Sequence, residues 1–393
     1  MPGSGSLRQP PGPSASAQLQ GDPRTSCQNL AIPAGAAVTS PPRSVCLLRL
    51  SALGDVSHVV PLVRALQDQW PDTAITWVVG RFEHRLVGAI EGVEFVAFDK
   101  RGGWPAYRDL RRRLAGRRFD ALLLMQLALR ANLVSTAIRA PLRVGYDRAR
   151  AREGHGLFVN HRIAPAAGQH VLDALRSFGD ALGLASSPPR WDLPVPDEAE
   201  AFAREQLPDG TASLVISPCA SHPQRNWRPE RYALVAEHAS RAHGLRVVLA
   251  GGPSAAERAM ADAILARCSA PVLDLVGKDT LPRALALFRR ATLVLSPDSG
   301  PVHMANAMGT PVLGLYASTD PARSGPYSDR RWCVDRHDQA ARRFRGRPAS
   351  ALRWGSKIEA EGVSDLIETE AVIERLDAFM AWRAAGGHAP QAR

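Results

Sequence analysis

Twice along this chain, short unbroken apolar runs alternate with segments of helical periodicity, and that doubled alternation restricts the fold more than any single motif does. The first set begins at Val45 with VCLLRL, continues through AITWVVG, VEFVAF and FDALLLM, and is interleaved with VVPLVRALQDQW and AYRDLRRRLAGR. Runs without polar alternation suit strands buried on both faces, and helices between them return the chain so that neighbouring strands lie parallel. The stretch LASSPPRWDLPVPDEAEA is rich in proline and aperiodic, which marks a linker. The alternation then restarts with ASLVISP, PERYALVAEHASRAHG, LRVVLAGG, AAERAMADAILARC, VLDLVG, LPRALALFRRA, TLVLSP, GPVHMANAMG and PVLGLYA.

The pattern predicts an α/β protein of two Rossmann-like, doubly wound domains, which 393 residues accommodate. Residues 1–43, rich in Pro, Gly and Ser and without the apolar core of a signal peptide, are expected to be a disordered extension. The first domain is expected over 44–195 and the second over 196–355. Residues 356–384 contain VSDLIETEAVIERLDAFMAWR, which reads as one long amphipathic helix, expected to pack back toward the first domain. ALLLMQLALRANLVSTAI is interrupted by Arg130 and Asn132, so no transmembrane helix is predicted.

The formal charge of +11 implies an anionic partner or working surface. Between Arg101 and Arg152 stand thirteen arginines against Asp109, Asp120 and Asp147, a net of +10, so nearly all of the excess lies in the first half. Part of such a run is a solvated face. No basic platform interleaved with aromatics accompanies it, which argues against nucleic acid as the partner. The five cysteines form no C-x-x-C pair, so their spacing suggests neither a zinc site nor a redox motif and fits a reduced, cytoplasmic setting.

Four stretches carry candidate chemistry. In RLSALGDVSH, a glycine and Asp55 open a helix directly after a strand, at the carboxyl edge of the sheet where open α/β folds bind ligands. Alone, Asp55 also fits a plain helix N-cap. SPCASHPQRNWRPERYA offers small hydroxyl and backbone donors and then Arg225, whose planar fork suits a diphosphate, although an isolated arginine is ordinarily a surface residue. LAGGPSAAER places Glu257 on the helix after a strand, where it can accept from ribose hydroxyls or simply be solvated. LVLSPDSGPVHMANAMGTPVLGLY is the most telling: Asp298, Ser299 and Gly300 open a helix that bears His303, and exposed amides at such a start bind phosphate. The chain has no G-x-G-x-x-G fingerprint, no G-x-x-x-x-G-K-[ST] loop and no Asp-x-Asp metal clamp. Diphosphate charge then falls to Arg225 and helix N-termini rather than to bound Mg²⁺.

In this order and at these separations, the four stretches resemble the ADP-heptose:lipopolysaccharide heptosyltransferases of glycosyltransferase family 9. The similarity runs from about Val45 to Trp382 and is carried most specifically by PDSGPVHMANAMGTPVLGLY, with LSALGDVSHVVPLVRAL second. It implies a GT-B fold whose first domain binds the acceptor, whose second binds the nucleotide sugar, and which requires no metal and no cofactor. It implies that Asp55 is the general base, that Ser221 and Arg225 contact the diphosphate and Glu257 the ribose, and that Asp298, Ser299, Gly300 and His303 meet the sugar and phosphates. Many relatives carry Lys at the position of Arg225. On the acceptor side the expected residues are His58, Arg111, Arg112 and Arg113, facing a Kdo–lipid A glycolipid and the inner surface of the cytoplasmic membrane. VGYDRARAREGHGLFVNHRI resembles the type that adds the first heptose. Transfer of another sugar, another acceptor, and a nucleotide-sugar 2-epimerase on the same fold stand as alternatives.

Overall fold

The computed structural model describes residues 40–387, so the expected disorder of the extension falls almost wholly outside the described residues. The first lobe is built on β1 (Ser44–Leu48), β2 (Ala74–Gly80), β3 (Val93–Phe98), β4 (Ala121–Leu124), β5 (Leu142–Gly145) and β6 (His161–Arg162), in the order β3-β2-β1-β4-β5-β6 with every pair parallel. The second repeats that order with β7 (Ser213–Ile216), β8 (Arg246–Leu249), β9 (Val272–Asp274), β10 (Leu293–Pro297), β11 (Val312–Tyr316) and β12 (Val334–Asp335), arranged β12-β11-β10-β7-β8-β9.

The register explains why the strands read as unbroken apolar runs. Successive side chains of a strand point to opposite faces. In β1, Val45 and Leu47 join Val56, Val59, Leu175 and Phe178 from the helices Leu53–Gln69 and Val171–Asp180, while Cys46 and Leu48 join Leu110, Leu114 and Phe119 on the other face. In the second sheet, Leu214 and Ile216 face one layer and Val215 the other. Both faces are covered, so neither set can be polar.

The C-terminal segment departs from expectation twice. It is a short 3₁₀ turn, Val363–Leu366, followed by a helix, Thr369–Ala384, because the intervening Ile367 carbonyl is drawn inward to accept from the Trp227 indole at 2.9 Å and from Arg231 at 2.6 Å. The helix packs on the second lobe, with Val372, Leu376 and Phe379 buried beside the helix Pro229–His243, rather than back against the first lobe. Contact with the first lobe comes earlier, where Arg353 donates to the Ala149 carbonyl (2.8 Å) and Trp354 to that of Gln169 (3.0 Å).

In each sheet the strand order reverses between its first and fourth strands. That places a crevice at the carboxyl ends of β1 and β4 in one lobe and of β7 and β10 in the other.

Candidate active site

At the first crevice, β1 leads into Arg49 and then into the helix that begins at Leu53. Arg49 donates to the Ser51 carbonyl (2.7 Å), to that of Met125 beyond β4, and to Asp55 Oδ2, so one guanidinium ties the two strands of the switch point to the carboxylate. The Ala52 amide also approaches Asp55 Oδ2, at 3.4 Å. Burial alone pushes this carboxyl up, but the Arg49 charge, the Ala52 amide and the charges of His303 and Arg323 more than offset it, and its pKa lies below the ordinary carboxylate value. The carboxylate keeps 31% of its surface open, and among the described residues Oδ1 accepts no hydrogen bond.

Asp55 opens onto a cleft of about 400 Å³ shared by both lobes. Besides Arg49, its walls carry Arg150 and Arg152 from the first lobe and Arg323 and Arg353 from the second. Arg150 is braced by Asp147 and by Gln169 (2.7 Å). Five cations around one ionised acid make a pocket for an anionic molecule that also presents a hydroxyl. Arg111, Arg112 and Arg113 do not line it. They close the last turn of the helix Gly103–Arg113 on its exposed side, where Arg112 pairs with Asp109 (2.6 Å) and Arg113 donates to the Ala97 carbonyl (3.3 Å). The sequence singled out the densest arginine run, whereas the fold brings to the cleft arginines scattered from 49 to 353.

His58 is not on the open wall either. It is buried, edge-on to His303 at 4.5 Å and to His170 at 5.5 Å, with neither ring nitrogen hydrogen-bonded, and burial holds it neutral, well below the ordinary imidazole pKa.

At the second crevice, β10 leads into Asp298 and Ser299, and the helix Gly300–Ala307 follows. Asp298 accepts from the Ser324 hydroxyl at 3.3 Å and lies 3.9 Å from both His303 Nε2 and Arg225 Nη1. Ser299 Oγ is 2.9 Å from Ser296 Oγ. Arg225, in the loop after β7, also donates to Glu359 at 2.9 Å, and its buried Nε has no partner. Ser221 is exposed in the same loop. Ser254 Oγ caps the helix by accepting from the Glu257 amide (3.2 Å), and the Glu257 carboxylate accepts from the Gly252 amide (2.8 Å) and the Ser254 hydroxyl (2.6 Å).

Sequence reasoning missed several neighbours. Glu359 is 134 residues from its partner Arg225. Ser318 and Thr319, directly after β11, are buried beside Arg225 and Asp298 with unpartnered hydroxyls. Their position after a strand at the carboxyl edge was the available signal. Near Glu257, Asp279 has a carboxyl that burial, then Glu257's charge, pushes up to about 7.

The crevices face each other because the two helix starts touch. A Cβ on Gly54 would sit 2.2 Å from His303 Cδ2, and one on Gly300 would sit 3.2 Å from Leu53 Cβ. Glycine at each helix start is what permits this approach. Asp55 and the Asp298 to His303 segment therefore belong to one site, with an acid and cations on one wall and helix amides, Arg225 and hydroxyls on the other.

A family model described as glycosyltransferase family 9 (heptosyltransferase) matches residues 107–350. The lipopolysaccharide core heptosyltransferase OpsX of Haemophilus influenzae is 37% identical over 86% of this chain and 97% of its own. Among solved structures, the family 9 glycosyl transferase of Veillonella parvula superposes with a TM-score of 0.71 at 20% identity, covering 86% of this chain and 97% of that one. The E. coli heptosyltransferase WaaC with ADP superposes with a TM-score of 0.65 at 19% identity, covering 86% and 99%. The two-lobed architecture is the GT-B fold.

Proposed function

Because this chain belongs to glycosyltransferase family 9, the heptosyltransferases, we propose that it moves heptose from ADP-heptose to an anionic inner-core acceptor of the Kdo–lipid A type, by a single inverting displacement without a metal in the cleft. The observation that carries this reading is the ionised Asp55, open at Oδ1, in a cleft ringed by Arg49, Arg150, Arg152, Arg323 and Arg353. A carboxylated, phosphorylated sugar supplies charge to those cations and a hydroxyl to that acid.

Asp55 accepts the hydroxyl proton as the acceptor oxygen forms its bond to the anomeric carbon. The bond from that carbon to the β-phosphate oxygen breaks on the opposite face, and its electron pair leaves with ADP. Arg225 and the amides opening the helix Gly300–Ala307 meet the charge that develops there. In this reading Ser221 and Ser299 bind phosphate oxygens and His303 the sugar. Glu257 exchanges its hydrogen bonds from the Gly252 amide and the Ser254 hydroxyl for those from the ribose.

Membrane attachment is peripheral in this proposal, on the inner face of the cytoplasmic membrane. None of the described helices is long and apolar enough to cross a membrane, and the basic helix Gly103–Arg113 carries the exposed Trp104 beside Tyr107.

The test is incubation of the purified protein with ADP-heptose and lipid A acceptors of graded core length, read by mass, with and without excess EDTA. One heptose added to a Kdo-bearing acceptor, in both conditions and with inverted anomeric configuration, is the expected result. A rearranged sugar released without acceptor would establish the 2-epimerase alternative instead. Loss of transfer in EDTA that a divalent ion restores would overturn the metal-free step.

A further inference from the structure

Away from the cleft, the helices Pro229–His243 and Thr369–Ala384 bring His238, His243 and Asp377 together. His238 Nε2 lies 2.7 Å and His243 Nε2 2.6 Å from the same oxygen, Asp377 Oδ1, and the three donor atoms are all within 4.8 Å of one another. His243 is the last residue of its helix, and Gly244 takes a left-handed φ of 62° there. The two imidazoles, five positions apart, therefore reach the same side, with their rings edge to face at 5.5 Å.

We propose that His238, His243 and Asp377 form a binding site for a divalent cation of the zinc class that clamps the C-terminal helix to the second lobe. Two imidazole nitrogens and one carboxylate oxygen are a donor set that zinc favours, with water in the fourth position. Tetrahedral bonds of about 2.0–2.1 Å hold ligand atoms roughly 3.3 Å apart, so each ring retreats from the carboxylate by about 0.6 Å, within reach of a small side-chain rotation. The local field favours a cation: Asp377 contributes a negative charge, and the last carbonyls of the helix Pro229–His243 present the negative end of its dipole. All three side chains keep part of their surface open, 29%, 20% and 46% respectively, which provides an entry path. The helix runs back from the carboxyl edge of the second sheet, so its end lies at the amino edge, opposite the cleft. The site is independent of the transferase reading, and its ligands come from segments 134 and 139 residues apart, beyond any spacing motif.

The alternative is a plain hydrogen-bonded trio, and conservative variants separate the two. In His238→Gln and His243→Gln an amide replaces the imidazole, keeping an N–H donor while giving up a good metal ligand. The full-length protein is stripped with EDTA, desalted and titrated with zinc chloride against a chromophoric chelator. Cobalt chloride is added in parallel to read the visible bands of a tetrahedral site. One equivalent of zinc should bind, raise the thermal midpoint and lose affinity at least tenfold in either variant, and the cobalt bands should disappear with it. A zinc affinity equal in wild type and both variants, or no shift of the midpoint at about 100 µM zinc, overturns the proposal. Melting of the zinc-free variants at the wild-type temperature excludes misfolding as the cause of lost binding. A variant that melts low is replaced by Asp377→Asn, for which the same two outcomes apply.

Discussion

Asp55 owes its charge to Arg49. Burial by itself favours the neutral acid, and the guanidinium six residues earlier reverses the balance, leaving the pKa below its ordinary value. The carboxylate is therefore charged across the neutral range and positioned, at some cost in intrinsic basicity. Asp55→Asn should keep donor binding and lower kcat by roughly 10²–10⁴, and near wild-type turnover would remove Asp55 from the base role. Arg49→Gln tests the pairing separately. With the cation gone, burial raises the pKa of Asp55, so the acid limb of the kcat/KM profile moves to higher pH. An unmoved limb in an active variant means that Arg49 does not set the charge of the acid that limits the rate.

At the scale of elements, the site depends on two helix starts that touch. Gly54→Ala should favour its own helix by about 1 kcal/mol, yet the added Cβ lies 2.2 Å from His303 Cδ2, so the His303 ring must move from its place in the site. Since a misplacement of about 1 Å can cost roughly 100-fold, transfer should fall at least tenfold while thermal stability changes little. Wild-type turnover in Gly54→Ala would show that the contact is dispensable. The elements themselves were legible in the sequence, since strands covered on both faces must be apolar throughout, and Asp55, Asp298 and His303 were legible because they sit at strand-to-helix turns. The cation ring was not. Arg323 and Arg353 reach the first lobe's Arg49, Arg150 and Arg152 only through lobe packing, and the densest basic run, Arg111 to Arg113, drew attention to an outward helix face. Nor could the chain order reveal that the Ile367 carbonyl, captured by Trp227 and Arg231, would break the C-terminal helix.

Across the whole molecule, the positive charge divides between a cleft and an outer face, and the two should separate experimentally. Arg152→Ala with Arg353→Ala should raise KM for a soluble, Kdo-bearing acceptor. Charge reversal of Arg111, Arg112 and Arg113 should leave that KM unchanged and weaken only binding to anionic vesicles, where each cation near the surface contributes about 1 kcal/mol. Equal vesicle binding at low salt would leave those three as a solvated face. Buried neutral histidines, one of them bridging the lobes, also make stability depend on pH. His170 Nδ1 accepts from the Leu172 amide (3.1 Å) at the start of its helix, and its Nε2 lies 3.1 Å from the Gly325 carbonyl of the other lobe. His155 Nε2 accepts from the Tyr146 amide at 3.0 Å, with Nδ1 on Asn132 Oδ1 at 2.9 Å. In each ring one nitrogen must stay unprotonated to accept, and burial lowers both pKa values to about 4. The unfolded chain takes up these protons from about pH 6.5 downward and the folded chain does not, so stability is intact above that value and falls between pH 6.5 and 4. The slope is about 1.4 kcal/mol per unit for each histidine. Asp279, raised to about 7, acts in the opposite sense over the same range and offsets roughly one of them. Urea midpoints should therefore fall from pH 6.5 to 4.5. His155→Gln, less stable at pH 7, should show a shallower fall by about one histidine's slope. Parallel wild-type and variant curves would mean that His155 is not held neutral by the fold.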